Sequence, residues 1–307
     1  MNYNSDYINK IIDDEVIFSN NIASKFHYPD NITHLLYIII PAFILKYGNS
    51  YRSIVEKCFA TVPIIISDKQ DKIYQAYYYS KPIKYNNDFI IEKGIVLKNY
   101  KDIDLMQLLD NLVHEFNHAI NSIQNEMLID SDIKIRTGLV YNYFNISDLS
   151  FIKQGPEVII EEVINTRQTE LIIDIIHSFS NSDIKNTTVL NTLYSINHSI
   201  NNNYRSNSYF LESYVCKRLL NNKTFISTLE NLRFVGQVND VSIFFDSITG
   251  DSGSFLMLAS YLSQSLKLQK DYIKNKWFKK RILRKLKNNN ELCLKIIDKF
   301  DNNTIYK

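Results

Sequence analysis

The chain is poor in the residues that punctuate and cross-link proteins. Its 307 residues include 7 glycines, 5 prolines, 3 cysteines and 1 tryptophan. So few breakers argue against a turn-rich sandwich and favour long helices. Cys58, Cys216 and Cys293 are odd in number, far apart, and outside any Cys-x-x-Cys pair. Neither a disulfide framework nor a thiolate zinc site is supported. Long hydrophobic runs are missing too. The longest, Leu35 to Leu45, spans 11 residues and contains Pro41. It is too short to cross a bilayer and reads as a buried helix. The segment Met1 to Lys10 lacks the basic-then-apolar profile of a signal peptide, so a reduced, cytoplasmic protein is expected. An excess of one charge is also lacking. With 35 Lys and Arg against 33 Asp and Glu, the net charge is +2, which commits the chain to neither nucleic acid nor membrane.

What the chain does have is a clear order of patterns. Residues 1 to 58 look mainly helical. Between 60 and 98, the stretches ATVPIIIS, KIYQAYYYS, NDFII and KGIVLKN carry β-branched and aromatic residues between turn signals and read as strands. The segment 125 to 155 reads as short strands or a hairpin, with Arg136-Thr137-Gly138-Leu139 near a bend. From Gly155 onward the spacing is almost entirely helical. The expected architecture is a helix-rich α+β fold of two consecutive lobes. Residues 1–125 would hold helices and a small sheet, ending in a helix over about 104–124; residues 126–307 would form a helical lobe.

The most informative feature is His114-Glu115-Phe116-Asn117-His118, which reads His-Glu-x-x-His. Chance alone would produce this pattern in roughly one such chain in 200, so its surroundings must support it. They do. From Asp104 to Gln124, Leu105, Leu109, Leu112, Phe116, Ile120 and Ile123 form an apolar stripe. Gln107, Asn111, His114, His118 and Asn121 line the opposite side, and Asp102 or Asp104 suits the N-cap. Residues four apart share a helix face, so both imidazoles reach one ion. Glu115 points about 100° away, where it can hold a water instead of the metal. The competing reading is an amphipathic surface helix with two solvated histidines.

A second segment, residues 155 to 179, strengthens the metal reading. After Gly155-Pro156 comes a helix that is apolar on nearly every side: Val158, Ile159, Ile160, Val163, Ile164, Leu171, Ile172, Ile173, Ile175 and Ile176. Such a helix is normally buried. Glu161 and Glu162 then sit in or near a core, where an unpaired carboxylate is costly. A divalent cation would relieve that cost, and so would an arginine such as Arg136 or Arg167.

These residues carry a family resemblance. His114-Glu115-x-x-His118 followed by a glutamate on a second helix resembles the gluzincin metallopeptidases, the thermolysin-like group. Their second helix has the pattern Asn-Glu-x-x-Ser-Asp, and Glu161-Glu162-Val163-Ile164-Asn165-Thr166 is similar to it, with Glu162 in the ligand position and Glu161 as the alternative. Asn165 and Thr166 depart from that pattern, and Thr166 replaces the acidic residue that orients a ligand histidine. The order His-Glu-x-x-His, Arg-x-Gly-Leu, Glu-x-x-Asn/Thr also resembles uncharacterised bacterial zincin-like proteins, over residues 95 to 180. A metzincin would need glycine and histidine where Asn121 and Gln124 stand.

The resemblance implies a zincin-like fold and one zinc ion per chain, held by His114, His118 and Glu162. It also implies a peptide or protein substrate, with Glu115 as general base. A tyrosine or histidine beyond the metal helix would stabilise the oxyanion; Tyr141, Tyr143, Tyr209 and His198 are candidates, with Tyr141 named first. The strand KGIVLKN would be the sheet edge that aligns the substrate. His27, His34 and His177 read as structural or solvated. A rival class is a catalytically inactive zincin-like scaffold. A third rests on KNKWFKKRILRKLK, residues 274 to 287, with eight basic residues in fourteen. Such a helix can bind an anionic membrane or nucleic-acid phosphates. The reading preferred for it is a helix that docks Phe278, Ile282 and Leu286 and solvates the rest. No transmembrane segment is expected.

Overall fold

A computed structural model describes residues 4–68, 75–199, 216, 219–274 and 278–305. The chain is helix-rich α+β with two small sheets. It divides into two compact units that are not consecutive. One is made of 1–123 and 166–206, the other of 124–165 and 207–307.

The first unit begins with α1 (Ser5–Phe26), α2 (Asp30–Tyr47) and α3 (Arg52–Thr61). Asn4 caps α1 by accepting from the Asp6 N–H at 2.9 Å. Residues 35 to 45 are buried along the whole of α2, as expected for an apolar run too short to span a bilayer. Among the described residues, no single helix is long and apolar enough to cross a membrane.

Three strands follow: β1 (Ile64–Ser67), β2 (Ala76–Tyr85) and β3 (Asp88–Lys98), in the order β1-β3-β2. The β1–β3 pair is parallel and the β2–β3 pair antiparallel. This corrects the expected substrate edge. NDFII and KGIVLKN form one continuous strand, and it is the central one, with Ile95 and Leu97 fully buried. The edges are β1 and β2. Alternation of apolar residues marks a strand but not its neighbours, because pairing order is set by distant contacts.

The unit continues with α4 (Leu105–Ile120), which carries the His-Glu-x-x-His residues, and later α6 (Thr187–Ser199). Between them, α5 (Val158–Phe179) runs unbroken through the change of unit: Val158 to Asn165 belong to the second, and Thr166 onward to the first.

The second unit opens with an antiparallel sheet of β4 (Met127–Ile129), β5 (Ile133–Thr137), β6 (Val140–Phe144) and β7 (Phe151–Gln154). The C-terminal lobe is therefore not all-helical, and its strands fall where short strands or a hairpin were expected, within 125–155. Helices α7 (Lys223–Val235), α8 (Val238–Thr249), α9 (Ser254–Lys274) and α10 (Lys279–Ile305) follow. Their apolar faces close over Ile159, Ile160, Val163 and Ile164 of α5. Phe225, Phe245, Phe255 and Phe300 form the centre, the Phe245 and Phe300 rings stacking at 4.7 Å. Truncating one such ring to alanine costs about 3–5 kcal/mol. In α10, Ile282 is buried, whereas Phe278 stays exposed, as do Lys279, Lys280, Arg281, Arg284, Lys285 and Lys287. Residues 275 to 277 of the basic stretch lie outside the described residues.

Candidate metal centre

Helix α4 starts where Asp104 accepts from the Gln107 N–H at 2.8 Å. Its apolar stripe is buried as the periodicity predicts, with Leu109, Leu112 and Ile120 fully inside. The opposite stripe is not a solvated face. Asn117, His118 and Asn121 are also buried, which removes the surface-helix reading. Polar groups there hold one another. Tyr47 donates to Asn117 Oδ1 at 3.0 Å, Asn121 donates to the Tyr47 oxygen at 2.8 Å, and Asn117 donates to Gln168 Oε1 at 3.1 Å. This network ties α4 to α2 and to α5 through side chains that need partners once buried.

Thr169 and Asp110 both bear on His114. Thr169 Oγ1, on α5, stands 3.5 Å from His114 Nδ1. Asp110 lies one turn before His114 on the same face. Burial holds its carboxyl above the usual carboxylate range, while the neighbouring His114 pulls it down. Asp110 and Thr169 stand near the imidazole, whereas the resemblance would place an acid at 166, where the chain has Thr166. Both were missed in the sequence, although the i, i+4 spacing of Asp110 and His114 was visible there.

The His114 and His118 rings stand 5.0 Å apart, edge to face. Glu162 lies on α5 two turns before Thr169 and so on the same helical face. One ligand atom from each of His114, His118 and Glu162 lies within 4.8 Å of the others. Donors 2.0–2.2 Å from a tetrahedral ion stand about 3.4 Å apart, so side-chain rotations of about an ångström close the set around zinc. His118 is buried, and His114 and Glu162 are half-buried. Two imidazoles and a carboxylate fit zinc in chemistry and number and leave a fourth position for water.

Glu161, the alternative ligand, is committed elsewhere. Its Oε2 accepts from the Leu139 N–H at 2.9 Å and from Arg233 Nε at 2.8 Å. Its Oε1 pairs with Arg233 Nη2. Arg233 was not among the arginines considered from the sequence, although one of those, Arg136, is close enough for the Glu161 charge to act on it. Arg167 pairs with Glu170 at the surface, and Arg136 donates to backbone carbonyls. Burial lowers the Arg136 pKa to about 10, still charged at neutral pH. One signal did point to Arg233: it continues the spacing of Phe225 and Leu229, the buried stripe of α7.

Glu115 is nearly buried, and its Oε2 accepts from the Tyr78 N–H at 2.6 Å. Tyr78 is on β2, an edge strand. Gln75 accepts from the Lys98 N–H at 2.7 Å, so by alternation the Tyr78 N–H points away from β3.

The oxyanion candidates diverge. Tyr141 is half-buried in β6, opposite Arg136; burial raises its pKa and Arg136 opposes that. Tyr143 lies under Lys134 and Lys153. His198 is in the last turn of α6; it is exposed, its ring centroid 3.8 Å from that of Tyr194 and tilted by 30°. Tyr209 lies outside the described residues. The chain matches no protein-family model, no curated protein and no solved structure.

Proposed function

We propose that this protein is a zinc-dependent metallopeptidase, with His114, His118 and Glu162 as ligands of one zinc ion and Glu115 as general base. The observation that carries the reading is the convergence of the three ligand side chains, two from a His-Glu-x-x-His helix and one from α5. Solvated histidines have no need of a partner carboxylate, and a scaffold has no need of Glu115. Zinc bound there would supply Lewis acidity and bring the pKa of a water toward neutrality.

The remaining roles belong to side chains. Glu115 takes a proton from the attacking water and passes it to the leaving amine. Its position against the Tyr78 N–H sets it beside an edge strand, where an extended peptide can add its backbone. Tyr141 is our candidate for the oxyanion, a role implied by the gluzincin resemblance. The substrate class is a peptide or protein.

The test is elemental analysis followed by a peptide-cleavage assay. The expected result is about one zinc per wild-type chain and marked loss in Glu162→Ala. Glu115→Gln should keep the zinc and lose cleavage. A wild type that takes up no zinc after reconstitution would end this reading, and a Glu115→Gln variant cleaving at the wild-type rate would remove Glu115 from its role.

A further inference from the structure

We infer that the buried Glu161–Arg233 pair is a positioning device for the metal ligand: by fixing the rotation of the first turns of α5, it aims Glu162. This inference rests on the metal reading above. Every group in the device belongs to the second unit, as does Glu162.

The grip on α5 is made at two successive turns. Arg233 Nε and Nη2 hold both oxygens of Glu161, and Nη2 also donates to Asn165 Oδ1 at 2.7 Å. Residues 161 and 165 are four apart, so one guanidinium seizes a line along one helix face. The Leu139 N–H holds the same carboxylate from the β5–β6 turn.

Arg233 is itself held. Arg136 Nη1 donates to the Arg233 carbonyl at 3.0 Å and to the Gly138 carbonyl at 2.6 Å. Arg136 Nε donates to the Gln124 carbonyl at 3.2 Å. Both arginines are 0% exposed and Glu161 is 1% exposed.

This is an expensive way to join a helix to a core. A buried ion pair is often no more stabilising than well-packed apolar residues of the same volume. What it adds is direction, because a two-pronged guanidinium fits a carboxylate in one plane. Direction is what the next residue needs. Glu162 follows Glu161 by about 100° around the helix. Its carboxylate stands about 7 Å from the helix axis, so a 10° rotation of α5 displaces it by about 1.2 Å. A metal–oxygen bond tolerates about 0.2 Å. The Arg136-Thr137-Gly138-Leu139 turn, Glu161 and Asn165 are thereby joined in one task.

The experiment compares zinc affinity, by chelator competition, and the visible spectrum of the cobalt-substituted protein across variants. Arg233→Lys keeps the charge but loses the fork. Glu161→Gln keeps the shape if the lysine variant fails to fold, and Asn165→Ala leaves the ion pair whole. Cys293→Ala, in the same unit but outside the network, controls for lost stability. We expect zinc affinity to fall about 10- to 100-fold in Arg233→Lys and Glu161→Gln, as when groups behind metal ligands are changed. The cobalt spectrum should change with it. Asn165→Ala should lose a few-fold, and Cys293→Ala should bind like the wild type. Wild-type affinity and spectrum in folded Arg233→Lys or Glu161→Gln would overturn the inference alone, as would an equal loss in Cys293→Ala. A wild type that binds no zinc would overturn the metal reading and this inference with it.

Discussion

Replacing Gly138 with alanine tests the buried network without removing a charge. Gly138 has φ +57°, and a Cβ built there would overlap the Glu161 carboxylate. The end of a flexible side chain can usually swing aside, but this one is held by Leu139 and twice by Arg233. Left-handed backbone costs alanine about 1–2 kcal/mol. Pulling the carboxylate from its guanidinium leaves a buried charge uncompensated, which costs about 3–5 kcal/mol. The expected loss is therefore about 4–7 kcal/mol, against the 5–15 kcal/mol of a typical fold. Denaturant unfolding followed by circular dichroism measures it. A double-mutant cycle sharpens the test. In a Glu161→Ala background the obstacle is gone, and Gly138→Ala should cost only the backbone strain, about 1–2 kcal/mol. An equal cost in both backgrounds would refute the steric coupling, and a loss under about 1 kcal/mol in the wild type would refute both components.

Three other perturbations have defined outcomes. Burial raises the Glu15 pKa to about 7, with Arg52 opposing it. The folded state then holds more protons than the unfolded one between pH 4.5 and 7, so this group's contribution falls by roughly 3 kcal/mol as pH rises through that window. Glu15→Gln should remove that share of the slope in a stability-against-pH series, and identical slopes would contradict the assignment. Tyr47→Phe deletes the hydroxyl bridging Asn117 and Asn121 and should cost about 1–3 kcal/mol by thermal or denaturant unfolding; an unchanged midpoint would mean the bridge contributes nothing. Cys58, Cys216 and Cys293 are buried, and burial pushes the Cys293 thiol up to about 12. Native protein should resist a thiol-specific disulfide reagent until unfolded, and fast labelling of Cys293 would show that region to be open.

The parts of this molecule that were legible in the sequence are those encoded by local spacing. The faces of α4, the pair His114 and His118, and the burial of residues 35 to 45 all follow from helical periodicity. Glu161 and Glu162 were separable only by resemblance, because adjacent residues on an apolar helix carry no local mark of which neighbour each will meet. Arg233, 72 positions after Glu161, was visible only as a charged residue on an apolar stripe. The strands of 127–154 were legible as strands, but their order, like the central place of β3, depends on strand pairing, which alternation does not specify. The Tyr78–Glu115 contact joins a strand edge to a helix and has no sequence pattern at all.

The passage of α5 from one compact unit to the other constrains how the protein is made. A nascent chain that has exposed only residues 1 to 123 carries its histidine helix but lacks Gln168 and Thr169, which meet Asn117 and His114. At about 5–20 residues per second, those partners leave the ribosome a few seconds later. During that interval the faces of α2 and α4 that α6 later covers also stand open. Cutting the gene after residue 125 would make that interval permanent, so a fragment bearing the whole His-Glu-x-x-His helix should aggregate.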